Sequence, residues 1–211
     1  LKSMHAQSDV KKTRLSAECR KDIAWWDRFL RRFNGVQVIF NDDPIMLSLE
    51  QLLESGAAVC CGDAQVWGGG AYFADQYWSR PFPDWLKDPS IPIHLKEFWV
   101  IVASAWLWGD SWAGQVVHIF CDNTAVCDTL DKEKPKDPAM QELLREFLYI
   151  VCTKGFSPVI RRIGTKANKT ADFISRVHDP SAITKFFKDS GLPDRKPLPV
   201  PDVFFNLHSN W

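Results

Sequence analysis

The stretch His94–Trp108, HLKEFWVIVASAWLW, constrains this chain more than any other. It has the length of a helix and is apolar nearly all round. No face of it suits water, so other elements must enclose it. Its apolar run, Phe98 to Trp108, is too short to cross a bilayer, which takes about 20 residues. One residue resists this environment. Glu97 lies among Leu95, Phe98, Trp99 and Val100, and an unpartnered buried carboxylate is costly. Something must compensate it.

Strand and helix signals alternate around this segment. Residues 57–64, 66–74 and 76–82 resemble three strands of a meander, with Gly68-Gly69-Gly70 allowing a bulge or a close backbone approach. Prolines at 81, 83, 89 and 92 mark a loop before the buried helix. A fourth strand is expected at 115–122 and a short helix at Thr124 to Leu130. An amphipathic helix follows at 139–155, ending at a glycine, then a fifth strand at 157–164 and a last helix at 168–178. This order implies an α/β fold: a five-stranded mixed sheet with helices on both faces.

The flanks differ. Residues 1–56 form an extension containing a helix over 17–33, with Ile23, Trp26, Phe29, Leu30 and Phe33 at helical spacing and a basic, solvated side. Asn34-Gly35 would close it, followed by a short strand at 36–40 and a turn at NDDP. Residues 179–211 are proline-rich and expected to drape on the surface or lead to something downstream. The formal net charge is zero, so any attraction to nucleic acid must come from local patches. Six cysteines without a C-x-x-C pair suit small core residues in a reducing compartment. The first residues lack an apolar leader. An intracellular protein, cytoplasmic or nuclear, with no membrane segment is expected.

Four carboxylates fall where such a fold could gather them. Asp63 ends the first strand, Glu97 begins the buried helix, Asp122 ends the fourth strand and Asp172 is early in the last helix. Each alone has a bland explanation: a turn residue, a helix-start charge, a helix cap, a solvated side chain. Together they form a set of hard oxygen donors that would repel one another without a cation, and magnesium or manganese suits them. Two such ions about 3.5–4 Å apart can perform in-line phosphodiester hydrolysis. No histidine, cysteine or serine nucleophile is needed.

These residues resemble a known family. Asp63-Ala64 with Trp67 to Gly70 resembles the first hairpin of ribonuclease H domains; His94-Leu95-Lys96-Glu97 resembles the helix carrying their glutamate. Phe120-Cys121-Asp122-Asn123 resembles their second aspartate motif. Gly164, Asn168 and Ala171-Asp172-Phe173-Ile174-Ser175-Arg176 resemble the ending of retrotransposon versions. The resemblance covers about residues 57–177 and is nearer to DIRS-like than to Gypsy-like elements. It extends to residues 18–35, which resemble the segment joining polymerase and ribonuclease H domains.

The resemblance implies a ribonuclease H-like fold and an endonuclease cutting the RNA strand of an RNA–DNA hybrid. It implies two Mg2+ ions, for which Mn2+ can substitute, held by Asp63, Glu97, Asp122 and Asp172. A polymerase domain of the same polyprotein would lie upstream, and no small-molecule cofactor is implied. The family's histidine before the last aspartate is missing from Gly164-Thr165-Lys166-Ala167-Asn168; Lys166 is the electrostatic substitute on offer. Asn123, Arg161, Arg162, Lys166, Asn168 and Arg176 are candidate hybrid contacts, beside the plainer alternatives of helix capping and a solvated charged face. Trp106, Trp108 and Trp112 are expected in the core.

Other nucleases of related fold fit less well. D-E-D-D exonucleases want an acid where Gln65 stands, and transposases and integrases end in a glutamate rather than Asp172. The remaining alternative is a catalytically inert module of the same fold, since fold does not establish activity.

Overall fold

The computed structural model describes residues 14–32, 47–132, 135 and 137–206. The strand expected at 36–40, the NDDP turn and the helix stop at Gly35 lie outside the described residues, as does the end of the tail.

One mixed sheet of six strands organises the chain, in the order β5-β4-β1-β2-β3-β6. β1 (Ala58–Ala64), β2 (Gly68–Phe73) and β3 (Gln76–Pro81) form the antiparallel meander. β4 (Val116–Cys121) runs parallel to β1, and β5 (Ser157–Arg162) parallel to β4. Alternation along each strand sorts side chains into two cores. Cys60, Ala71, Trp78, Val117 and Ile119 face α3 (Ile93–Trp112), α4 (Thr124–Lys132) and α5 (Pro138–Lys154). Val59, Cys61, Tyr72, Tyr77 and Phe120 face α2 (Leu49–Glu54), α6 (Lys169–Arg176) and α7 (Pro180–Asp189). The expected mixed α/β sheet with helices on both faces is the one observed. No helix among the described residues is long and apolar enough to cross a membrane.

α3 is enclosed as its composition demands, with Phe98, Val102, Ala103, Ala105 and Trp112 fully buried. Trp108 is buried too, and its Nε1 donates to Gln76 Oε1 at 2.8 Å. The triple glycine lets helices approach both faces of β2. A Cβ on Gly69 would strike Val100 and Phe82, and one on Gly70 would strike Ile174 of α6. Glycine here sets the depth at which α3 and α6 flank the end of β1.

Three observations depart from expectation. The segment after 179 does not drape. Asp179 caps α7, whose Ile183 and Phe187 are buried, and β6 (Lys196–Pro197) adds a sixth strand beside β3. A 3-10 turn at Asp202–Phe205 then buries Phe205 against Trp78, Phe82 and Trp99. Apolar aromatics outweigh the proline punctuation that suggested a linker. Second, α2 was not foreseen; its capping box joins Ser48 and Gln51 and Leu52 is buried. Third, α1 (Ala17–Leu30) splits its expected apolar stripe: Phe29 is buried, whereas Ile23, Trp26 and Leu30 are more than half exposed. Arg145 of α5, itself buried, instead bonds Glu18 and Asp22, and Trp25 Nε1 donates to the Arg145 carbonyl.

Candidate active site

The four acids come from four elements that end at one corner of the sheet. Asp63 is the penultimate residue of β1, in register with Gly70, and is 7% exposed. Its Oδ2 accepts a 2.7 Å hydrogen bond from Ser175 Oγ of α6. Glu97 projects from the start of α3 and is 8% exposed; the Cys121 thiol approaches its Oε2 at 3.7 Å. Asp122 follows β4 and accepts from Thr165 Oγ1 at 2.9 Å. Asp172, in the first turn of α6, is gripped by Arg176 Nε and Nη2 at 2.9 and 2.6 Å.

Burial and mutual repulsion raise the proton affinity of two of these groups. Asp63 is pushed up to about 6, first by burial and then by the charges of Asp122 and Asp172, against the Ser175 hydrogen bond and Arg176. Glu97 is pushed up to about 7 by burial and by Asp122 and Asp63, against hydrogen bonds from Asn123 and Cys121. All four sequence-chosen acids therefore share one field. They are not equally close: Glu97, Cys121 and Asp122 offer ligand atoms within 4.8 Å of one another, whereas Asp63 and Asp172 lie outside that tightest group. Burial that disfavours carboxylate charge, with one arginine as local compensation, is the environment a hard divalent cation would relieve. The acids could hold such a cation.

The candidate hybrid contacts divide. Arg162, Lys166 and Arg176 are exposed, although Arg176 is committed to Asp172. Arg161 is not on that surface. It is 8% exposed and donates from Nε to His118 Nδ1 at 3.1 Å, because successive strand residues face opposite ways. Asn168 also departs from expectation. It is 2% exposed and donates to the Gly62 carbonyl at 3.2 Å, tying the start of α6 to β1. Asn123 caps α4, accepting from Ala125 N and Val126 N at 2.9 and 3.4 Å.

Ser175, Thr165 and Cys121 were not singled out as parts of the site. Ser175 stood in the quoted motif, three residues after Asp172, and that interval on a helix was the available signal. The loop before α6 holds no histidine. His178, beyond α6, instead meets Ser79 Oγ through Nδ1 at 2.7 Å, and burial lowers its pKa.

No family model and no curated protein matches the sequence. Solved structures do resemble it. RNase H1 from the halophilic archaeon Halobacterium salinarum is 12% identical, with 58% of this chain and 97% of that one covered at a TM-score of 0.46. The N-terminal RNase H domain of a Mycobacterium tuberculosis protein is 14% identical, covering 58% and 99% at 0.42. An RNase H1 isolated from compost by a metagenomic approach is 14% identical, covering 62% and 98% at 0.42. These structural neighbours are ribonuclease H domains.

Proposed function

We propose that this chain is a metal-dependent ribonuclease H that hydrolyses the RNA strand of RNA–DNA hybrids. In this reading it serves a retroelement reverse transcriptase of the DIRS-like kind, with a polymerase domain preceding it. The observation that carries the chemistry is that two buried acids, Asp63 and Glu97, are each repelled by half-buried Asp122, with Asp172 adding to the repulsion on Asp63. That donor set fits Mg2+ or Mn2+. When bound, such ions supply Lewis acidity and an activated water for in-line cleavage. Asp63, Glu97 and Asp122 would hold the ions; Ser175 orients Asp63, and Thr165 orients Asp122. Asp172 would be the fourth donor, and Arg176, which now pairs with it, would be a candidate phosphate contact. Asn123, Arg162 and Lys166 border the corner as contacts for the hybrid. With zero net charge, phosphate binding rests on these few cations, so hybrid affinity should be modest and salt-sensitive.

One observation favours the alternative of an inert module: the Arg176–Asp172 pair already neutralises one acid. Cleavage of a labelled RNA–DNA hybrid decides between them. The wild-type chain should cut the RNA strand in Mg2+ or Mn2+, and Asp122→Asn should abolish cutting with the fold intact. Intact RNA in both metals would establish the inert reading, and equal cutting of single-stranded DNA would indicate an exonuclease chemistry.

A further inference from the structure

The turn that leaves β1 just beyond Asp63 is built in an unusual way. Its tip presents two apolar side chains to solvent, Val66 at 46% and Trp67 at 59% exposure. Scattered exposed apolar residues are ordinary, but this tip is rigidly held. Gln65 N donates to Gly68 O at 2.9 Å, Gln65 Oε1 accepts from Trp67 N at 3.1 Å, and Phe82 N donates to Trp67 O at 2.9 Å. The remaining tether is Lys96, which is 2% exposed and donates from Nζ to the Val66 carbonyl at 3.0 Å and, more weakly, to Asp88 O at 3.4 Å. Burying an ammonium group costs several kcal/mol, and it gains here two backbone carbonyls and the charge of Asp88. What the fold obtains is a fixed hairpin tip with an indole projecting from it.

Position gives that indole a use. Ala64 is in register with Gly69, and the turn follows at once. At about 3.3 Å per strand residue, Trp67 lies on the order of 10 Å from Asp63 along the sheet. That is about three nucleotide steps at 3.4 Å along a strand. We propose that Trp67 packs on the sugars lining the minor groove of a hybrid whose RNA lies at the acid cluster, with Lys96 as its positioning residue; this rests on the nuclease reading above. A duplex with A-form character offers a wide, shallow minor groove. The minor groove of B-form DNA is deep and only about 6 Å wide, so an indole lying flat on its sugars requires the groove to be widened at a deformation cost. Trp67 therefore discriminates the hybrid from a DNA duplex as well as holding it.

Anisotropy titration of a labelled hybrid and a DNA duplex of the same sequence, using the full chain, tests this. Trp67→Ala should weaken hybrid binding at least about fivefold, as truncation of a buried interface aromatic does. It should leave duplex binding unchanged, so that the preference for hybrid collapses; Trp67→Phe should retain most of it. Lys96→Met should reproduce the loss, and the double variant should be no worse than either single one. Circular dichroism on each variant checks the fold. Hybrid binding by Trp67→Ala equal to wild type would overturn the proposal, and additive losses would remove Lys96 from it. Cleavage by the wild type is scored separately: a chain that binds hybrid through Trp67 without cutting it sinks the nuclease reading alone. A wild-type chain that binds no hybrid sinks both.

Discussion

Asp63 and Glu97 make the folded chain's stability depend on pH in an unusual direction. Most carboxylates lose their protons more readily in the folded state; these two hold theirs more tightly, up to about 6 and 7 against ordinary values of 3.8 and 4.5. Their protonated forms favour the fold, so that contribution is complete at low pH and is lost as pH rises through 6 and 7. In scanning calorimetry of the metal-free chain, these two groups should lower the melting temperature from about pH 5 to pH 8. Glu97→Gln should flatten part of that slope and raise the midpoint at pH 8. Mg2+ should raise the wild-type midpoint more at pH 8 than at pH 5.5, and less in Glu97→Gln. An unchanged slope in that variant would mean that Glu97 ionises as it does in water. These acids were legible in the sequence because carboxylates inside or ending apolar runs are conspicuous. Ser175 and Thr165 were not, since a hydroxyl serves many purposes until the backbone gives it a partner. Arg161 and Arg162 looked alike as neighbours in a basic track, yet strand alternation sends one inward and the other to solvent.

At the level of elements, the long apolar helix and the meander were visible because their residue patterns admit few alternatives. α1 shows where such reasoning stops. Its expected stripe is divided, with Phe29 inward and Ile23, Trp26 and Leu30 outward, because a helical period cannot say which side meets the protein. The docked side is held by buried Phe29, by charge and by one indole, the last two through Glu18, Asp22 and Trp25 on Arg145. Arg28 lies over the Tyr149 ring at 3.7 Å. Only partners distant in sequence could reveal this. Arg145→Met should therefore free α1 selectively. Hydrogen exchange should show amides of residues 17–30 losing protection while those of β1 and β4 keep theirs. Loss of protection throughout would instead make Arg145 a support of the whole α5 core.

The whole molecule is braced from its C-terminal side, and that bracing reaches the acid corner from both faces of the sheet. On one face Phe205 packs on Trp99, two residues along α3 from Glu97, and on Trp78 and Phe82. On the other, Phe186 of α7 stacks on Phe173 of α6 with ring centroids 4.1 Å apart, beside Asp172, while Phe187 meets Tyr77. Proline-rich composition hid this, because prolines interrupt elements without preventing the aromatics between them from being buried. Phe205→Ala should cost about 3–5 kcal/mol, the usual range for emptying a buried phenylalanine site, measured as a lowered midpoint in urea. Phe186→Ala should cost less, because that ring is only partly buried. It should nevertheless reduce the Mg2+-induced rise in melting temperature, since α6 would no longer be held in register with β1. A tail merely lying on the surface would leave both quantities as they are in wild type. A global loss of stability with an unaltered Mg2+ response in Phe186→Ala would show that α6 is fixed by Ser175 and Asn168 alone.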